Sequence, residues 1–339
     1  MTSWPSHLRS QWFAVTLSRK VGRAPKRFLL LGRPIVLARL DGQRVVGFED
    51  RCPHRHAPLS KGRCIDGQLQ CPYHGWRFDA QGRLQALPGA PPGQRLPGIH
   101  ARRVRVTERD GVIWIRECDD DEHDLPERVR SMDTWNRKFL WQTVWRGNIV
   151  DALENVLDPL HTHFVHPGLV RKGGERCAMR VRLQPNNEGF TVDYSGHETQ
   201  SGLLYRLFES PRESERAHFC APGTAQLEYR YRNGSRACIS LHFSPQDDRN
   251  THLIGMLHVQ GRRVPAWAVR LFLWPFIRRV AKQDARMLGW QADNTHLFGD
   301  RQDIVTRCDI VRRHLMSAWC DDPASIDLPP DGIDTELYL

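Results

Sequence analysis

The stretch Cys52-Pro53-His54-Arg55-His56-Ala57-Pro58-Leu59-Ser60-Lys61-Gly62, followed shortly by Cys71-Pro72-Tyr73-His74-Gly75-Trp76, decides how the rest of the chain is read. Together the two segments give C-x-H-x16-C-x-x-H, with one cysteine and one histidine in each of two turn-rich loops. Thiolates and imidazoles at this spacing are metal ligands. Two of each can hold a single tetrahedral zinc. A two-iron cluster accounts better for loops that each supply one ligand of each kind, because each loop then sends its cysteine to one iron and its histidine to the other. The prolines stiffen both loops. Gly62 and Gly75 are read as points of close backbone approach or positive φ, and Tyr73 and Trp76 as a screen between the cluster and water.

Both segments resemble, nearly letter for letter, the two cluster loops of the Rieske iron-sulfur family. The resemblance implies a [2Fe-2S] cluster held by Cys52, His54, Cys71 and His74.

With 339 residues the chain is long enough for two domains, whereas an electron carrier alone needs only the first third. Nine cysteines, odd in number and scattered, do not read as a disulfide framework, and a reducing cytoplasm is expected. Cys64, Cys118, Cys177, Cys220, Cys238, Cys308 and Cys320 lack ligand spacing and are read as small buried hydrophobes. The N-terminus lacks the charged start and apolar core of a signal peptide. No apolar run has the length of a transmembrane segment. The nearest, 266–280 (AWAVRLFLWPFIRRV), is short, carries arginines and contains Pro275, and is expected to be a packed helix. The net charge of +10 comes from 49 basic against 39 acidic residues. These are spread along the chain without a nucleic-acid-binding signature, so no nucleic acid is expected. A basic surface suits an acidic electron-transfer partner.

The first third reads as short strands and turns. Runs 34–40 and 44–48 join at Asp41-Gly42, a hairpin signal. Phe78-Asp79-Ala80-Gln81-Gly82 makes a further turn, and 111–117 (GVIWIRE) a last strand. The acidic stretch 118–127 marks a linker, giving domains 1–120 and 121–339. Beyond it, strands are expected at 139–146, 190–194, 225–232, 237–243 and 252–259, with a turn at 232–235. Helices are expected near 149–165, 279–294 and 303–319. That order fits an α+β domain with an antiparallel sheet packed by helices.

The segment Asn155-Val156-Leu157-Asp158-Pro159-Leu160-His161-Thr162-His163-Phe164-Val165-His166 places two imidazoles five residues apart, with a carboxylate three before the first. On an ideal helix His161 and His166 lie about 140° apart. The helix must therefore loosen near His166-Pro167 for both to face one ion, and Pro159 and Pro167 favour that. A non-haem oxygenase iron takes two histidines and one carboxylate on one face and keeps the other positions open. Asp158 is the local carboxylate, equally suited to a supporting role. His163 is read as a spectator, Asp151 and Glu154 as solvated acids of the first helical turn, and Asn155 as a pocket amide.

Across its whole length the chain resembles the Rieske non-haem iron oxygenases, whose N-x-x-D-x-x-H-x4-H pattern matches Asn155, Asp158, His161 and His166. The resemblance implies that Asp158 is an electron bridge between a cluster histidine and an iron histidine. It also implies that the third ligand of a mononuclear Fe(II) comes from a later helix. Gln283-Asp284-Ala285-Arg286-Met287-Leu288 matches that helix, so Asp284 is assigned ahead of Asp293, Asp300 and Asp303, the last read as a cap of the final helix.

The resemblance further implies a small all-β Rieske domain followed by a helix-grip α+β catalytic domain, assembled as a head-to-tail homotrimer. Electrons would come from NAD(P)H through a reductase or ferredoxin. The length is nearest the monooxygenase and O- or N-demethylase branch, the group of dicamba and vanillate demethylases, with a ring-cis-dihydroxylating dioxygenase as the alternative. Hydroxylation or oxidative demethylation of a small aromatic or otherwise apolar molecule is expected. The cavity walls are expected from the sheet and the 267–276 region. Arg230, Arg232 and Arg236 are weighed as carboxylate partners against solvated strand faces.

Overall fold

The computed structural model describes residues 4–91, 93–117, 124–171, 176–196, 202–261, 265–299, 301–322, 326 and 328–338. The chain divides into two compact units, Met1–His123 with Ser244–Asp248, and Asp124–Phe243 with Arg249–Leu339. Most of the acidic stretch 118–127, including Cys118, lies outside the described residues, as does Asp300.

The first unit is all-β apart from single 3-10 turns. Its strands are β1 Phe13–Leu17, β2 Lys26–Leu30, β3 Arg33–Arg39, β4 Val45–Glu49, β5 Arg63–Ile65, β6 Gln68–Gln70, β7 Arg77–Phe78, β8 Leu84–Ala86, β9 Arg103–Arg109 and β10 Val112–Arg116. Six form one sheet in the order β1-β10-β9-β4-β3-β2, and β5-β6-β7-β8 form a second. The β3–β4 hairpin turns at Asp41-Gly42 because the Asp41 carboxylate accepts the backbone N–H groups of Gln43 and Arg44, and Gly42 takes φ +84°. The first cysteine- and histidine-bearing segment leaves the end of β4, and the second is the turn from β6 into β7. Their cysteines enter a core of Val36, Phe48, Leu59, Leu69 and Phe78. The two expected glycine roles divide between them. A Cβ on Gly62 would lie 1.9 Å from the Gln70 carbonyl oxygen, a close approach, whereas Gly75 has φ +72°.

The second unit is built on an eight-stranded sheet. Its strands are β11 Asn136–Arg146, β12 Ala178–Asn186, β13 Gly189–Gly196, β14 Arg212–Cys220, β15 Thr224–Tyr231, β16 Arg236–Pro245, β17 Asn250–Gln260 and β18 Ile333–Tyr338. They run in the order β11-β17-β16-β15-β14-β13-β12-β18, with antiparallel pairing. The α+β class with an antiparallel sheet is thus what the structure has. The expected strands are present, and Gly234 at φ +77° makes the β15–β16 turn. Strands β12, β14 and β18 lie where no strand was expected. β12 alternates from Met179 to Gln184, with Val181 and Leu183 buried, a strand signal present in the sequence but missed, whereas β14 opens with charged residues and shows no clean apolar alternation.

The helices differ from expectation where their ends are set by side chains. The first runs Ile149–Leu157 and stops at Asp158, with Asn148 capping its start through the Asp151 N–H. A 3-10 turn Pro159–His161 and a short helix Thr162–Val165 follow, so the loosening comes before His161 as well as at His166. Residues 266–280 are helical, as expected, but they are not the packed helix foreseen: Val269 alone is buried, and Trp267, Leu271 and Phe272 are exposed. They run through Ala266–Ala268 and a π-helical turn Val269–Leu273 into one long helix, Trp274–Phe298. The last helix is only Arg312–Trp319 and Asp303 does not cap it. Asp303 instead accepts from Arg301 and Arg312.

Asp151 and Glu154 are also not solvated. Asp151 is 6% exposed and accepts from Arg301 (2.6 and 2.7 Å) and Arg312 (2.7 Å), and Glu154 accepts from Arg312 at 2.6 Å. These pairs tie the Ile149–Leu157 helix to the last helix. Among the described residues no helix is long and apolar enough to cross a membrane.

Candidate metal centres and active-site cavity

In the first unit Cys52 and Cys71 are buried, and no cysteine among those described is in a disulfide. Hairpin-like hydrogen bonds shape the loops, with Cys52 N–H donating to Ala57 O and Cys71 N–H to Trp76 O, both at 2.8 Å. His54 and His74 meet edge to face with centroids 4.6 Å apart, and Trp76 stacks on His54 at 4.4 Å and 3°. Trp76 therefore covers one imidazole, as expected. Tyr73 is 66% exposed, with its ring centroid 3.8 Å from that of His74.

Burial, with the neighbouring Cys71 thiol adding, pushes Cys52 up to about 11. Burial and then His74 lower the pKa of His54, which favours its neutral form. Thiol beside thiol and neutral imidazole beside imidazole fit a two-iron cluster whose irons differ in ligand type. The positive metal is what would make thiolates of both cysteines.

In the second unit His161, His166 and Asp284 each offer one ligand atom, all within 4.8 Å of one another. The Pro159–His161 turn begins when the Asp158 carboxylate accepts the Leu160 N–H at 2.8 Å. His161 Nδ1 then donates to the Asp158 main-chain carbonyl at 2.7 Å, which directs Nε2 toward Asp284 Oδ1, 3.5 Å away. His166, 1% exposed on its side chain, donates from Nδ1 to Gln283 Oε1 at 3.0 Å, with Nε2 at 2.9 Å from the same Asp284 oxygen.

Burial would lower His166, but the Asp284 carboxylate and the Gln283 amide outweigh it and raise its pKa. Burial lowers that of His161. With both Nδ1 atoms committed as donors, two Nε2 lone pairs converge on a carboxylate oxygen. That donor set fits a divalent cation in the middle.

The structure thus brings His161, His166 and Asp284 together and leaves Asp293 and Asp303 elsewhere. Asp293 pairs with Arg146 on the surface and Asp303 joins the arginine network. His163 is outside the group. Asp158 has its carboxyl raised to about 7, chiefly by burial. Its contact with His161 runs through the backbone carbonyl rather than the carboxylate. Asn155 lines the cavity beside these groups, and its Oδ1 has no hydrogen bond. Gln283 carried no expectation, because its contact with His166 spans 117 residues and no local pattern marks it.

The histidines and Asp284 open into a cavity of about 440 Å³. The sheet supplies Trp141, Leu227, Ile239 and Leu257, and the π-helical turn adds Phe272 and Leu273. An apolar wall from the sheet and the 267–276 region is as expected, although Trp267 itself is 67% exposed. Of the seven remaining cysteines, Cys220 and Cys238 are buried as expected, whereas Cys308 is exposed and Cys64, Cys177 and Cys320 are half-buried.

Comparison with known proteins bears on both units. A Rieske [2Fe-2S] domain matches residues 11–108, and a vanillate O-demethylase oxygenase C-terminal domain matches residues 145–316. The chain belongs to the Rieske oxygenases of the demethylase branch. Among these oxygenases, the methylxanthine N1-demethylase NdmA of Pseudomonas putida is 33% identical over 170 residues, covering 48% of each chain. The dicamba O-demethylase oxygenase component of Stenotrophomonas maltophilia is 32% identical over 167 residues, covering 47% of this chain and 48% of that one. In such alignments the chain spans about half the length of the curated relatives it matches. In fold, NdmA with caffeine has TM-score 0.74 at 22% identity over 92% of this chain and 90% of that one. Dicamba monooxygenase bound to dicamba has TM-score 0.71 at 20% identity over 92% and 97%.

Proposed function

We propose that this Rieske oxygenase is a terminal oxygenase that uses O2 and electrons from NAD(P)H, passed through a reductase or ferredoxin, to hydroxylate or oxidatively demethylate a small apolar or aromatic substrate. The reading rests on one arrangement above all: two histidines with fixed Nδ1 donors and one buried carboxylate converge at the wall of an apolar cavity. In this proposal Cys52, His54, Cys71 and His74 hold the [2Fe-2S] cluster, and His161, His166 and Asp284 hold Fe(II). When bound, the cluster supplies single electrons and the mononuclear iron supplies open positions for oxygen chemistry.

The chain's own residues do the rest. The Asp158 carbonyl and Gln283 fix the imidazole tautomers, Asn155 offers a free amide oxygen, and the apolar wall excludes water from the reacting carbon. Asp158 is proposed to link His74 of one subunit to His161 of the next in a homotrimer. The described contacts of its carboxylate are compatible with this, since Leu160 N–H engages only Oδ1. Overall, substrate C–H, O2, two electrons and two protons give C–OH and water. On an O-methyl or N-methyl group the product sheds formaldehyde.

The test is to reduce the metal-loaded protein and offer methoxy-aromatic and N-methyl compounds. Substrate-stimulated oxygen uptake with formaldehyde is expected, and protein that takes up no oxygen above the substrate-free rate with any of them refutes the proposal. Labelled O2 separates the alternative, since two labelled oxygens in one product would mean dihydroxylation.

A further inference from the structure

The charged groups lining the cavity differ in what neutralises them. Arg212 is saturated: Glu209 accepts from Nε and Nη2 at 2.7 and 3.0 Å, Glu215 accepts from Nη1 at 2.7 Å, and the guanidinium lies 3.8 Å over the Tyr229 ring. Asp284 faces the two histidines. Arg236 is half-buried and feels Glu228 on the neighbouring strand.

Arg171 is different. It lines the same cavity, is 7% exposed, and its Nε is buried without a hydrogen bond. No ion pair among the described residues includes it. A buried cation without a counter-charge is costly, and an anion at that position removes the cost.

The backbone holds Arg171 in place relative to His166. Leu169 and Val170 N–H donate to the His166 carbonyl, both at 3.2 Å, and Gly168 N–H donates to the Arg171 carbonyl at 2.6 Å. This closed loop places Arg171 on the cavity wall five residues after one of the three converging side chains. A guanidinium presents a planar fork that matches a carboxylate in two parallel hydrogen bonds.

We infer that Arg171 anchors a carboxylate on the substrate, so that the molecules taken are organic acids with an apolar body rather than neutral compounds. This deepens the oxygenase reading of the cavity and rests on it. Arg171 replaces Arg230, Arg232 and Arg236 as the carboxylate partner, since Arg230 and Arg232 do not line the cavity and Arg236 is only half-buried.

The test is calorimetric binding to the full-length, metal-loaded protein without reductant, using 4-methoxybenzoate and its uncharged isostere 4-methoxybenzamide. The acid is expected to bind at least about tenfold more tightly than the amide, as fits a charge-assisted pair. Arg171→Gln should abolish that preference while leaving amide binding within about twofold, and Arg171→Lys should keep part of it. The inference is overturned if the amide binds as tightly as the acid, if neither binds at millimolar concentration, or if the preference survives Arg171→Gln. Should Arg171→Gln not fold, an acid preference in Arg171→Lys as large as the wild type's overturns it, and a smaller one supports it. Acid binding through Arg171 with no oxygen uptake would sink the oxygenase reading alone. Oxygen uptake with neutral methoxyarenes only would sink the anchor alone.

Discussion

His161 Nδ1 donates to the main-chain carbonyl of Asp158 across 2.7 Å, while the Asp158 carboxylate accepts from the Leu160 N–H at 2.8 Å. The orientation of the imidazole is therefore set by the turn and does not depend on the charge of the side chain at 158. An amide at this position can still accept from Leu160.

Asp158→Asn should accordingly leave both iron contents and the cluster's visible spectrum unchanged. If the carboxylate is the bridge between centres, turnover coupled to the reductase should fall by about 10–100-fold or more, the scale seen when groups supporting metal ligands are lost. Iron analysis, absorption spectra and single-turnover electron transfer check this together. Ordinary turnover in the Asn variant would remove Asp158 from the electron path.

Gln283 is the counterpart for His166. Gln283→Leu removes the acceptor of the Nδ1 proton and leaves the tautomer unfixed, so affinity for mononuclear Fe(II) should drop about 10–100-fold. Gln283→Glu keeps an acceptor and should retain most of the affinity. Competition with a chelator reads the constant, and the cluster spectrum serves as an internal control because Gln283 belongs to the other unit.

These two supports show what was legible in the sequence. The cluster loops were readable because their ligands, prolines and glycines are contiguous, and His161 and His166 because they share one short turn. Asp284 came through resemblance to a family, since nothing local distinguishes it from Asp293. Gln283 and Arg171 were not readable, because the role of each depends on groups that the fold brings to it. Asp151 and Glu154 were misread as solvated for the same reason: their partners Arg301 and Arg312 lie about 150 residues further on. Strand β14 was missed because its inward Arg212 is neutralised by Glu209 and Glu215, a pairing that makes a buried strand look polar.

The network around Arg312 predicts a stability effect. Arg312 and Asp151 have side chains 8% and 6% exposed, and Arg312 also engages Glu154 and Asp303. Arg312→Met leaves buried carboxylate charge uncompensated and should cost about 3 kcal/mol, the lower end for breaking a buried pair, because Arg301 still holds Asp151. Urea unfolding followed by far-ultraviolet circular dichroism measures it. A change under about 0.5 kcal/mol would show that the network is dispensable.

Acid should destabilise the second unit through two buried histidines. Burial, with His258 adding, lowers His242 to about 3, and burial followed by Arg137 lowers His258 to about 4. A histidine near 6.5 when unfolded and far lower when folded binds its proton only in the unfolded chain between those values. Stability is therefore unaffected above pH 6.5 and is lost as pH falls from there toward 3 to 4. By linkage, each site should subtract about 2 kcal/mol at pH 5 relative to neutral pH. Other groups titrate in the same range, and the Asp158 carboxyl, raised to about 7, acts in the opposite direction. A difference between variants cancels them. His242→Gln keeps a polar side chain beside Thr224 Oγ1, which contacts the wild-type ring at 3.0 Å. Whatever it costs at pH 7.5, its further loss on going to pH 5 should be smaller than the wild type's by about 2 kcal/mol. Parallel pH dependence in the two proteins, read from urea midpoints, would mean that His242 titrates normally and that its burial carries no acid penalty.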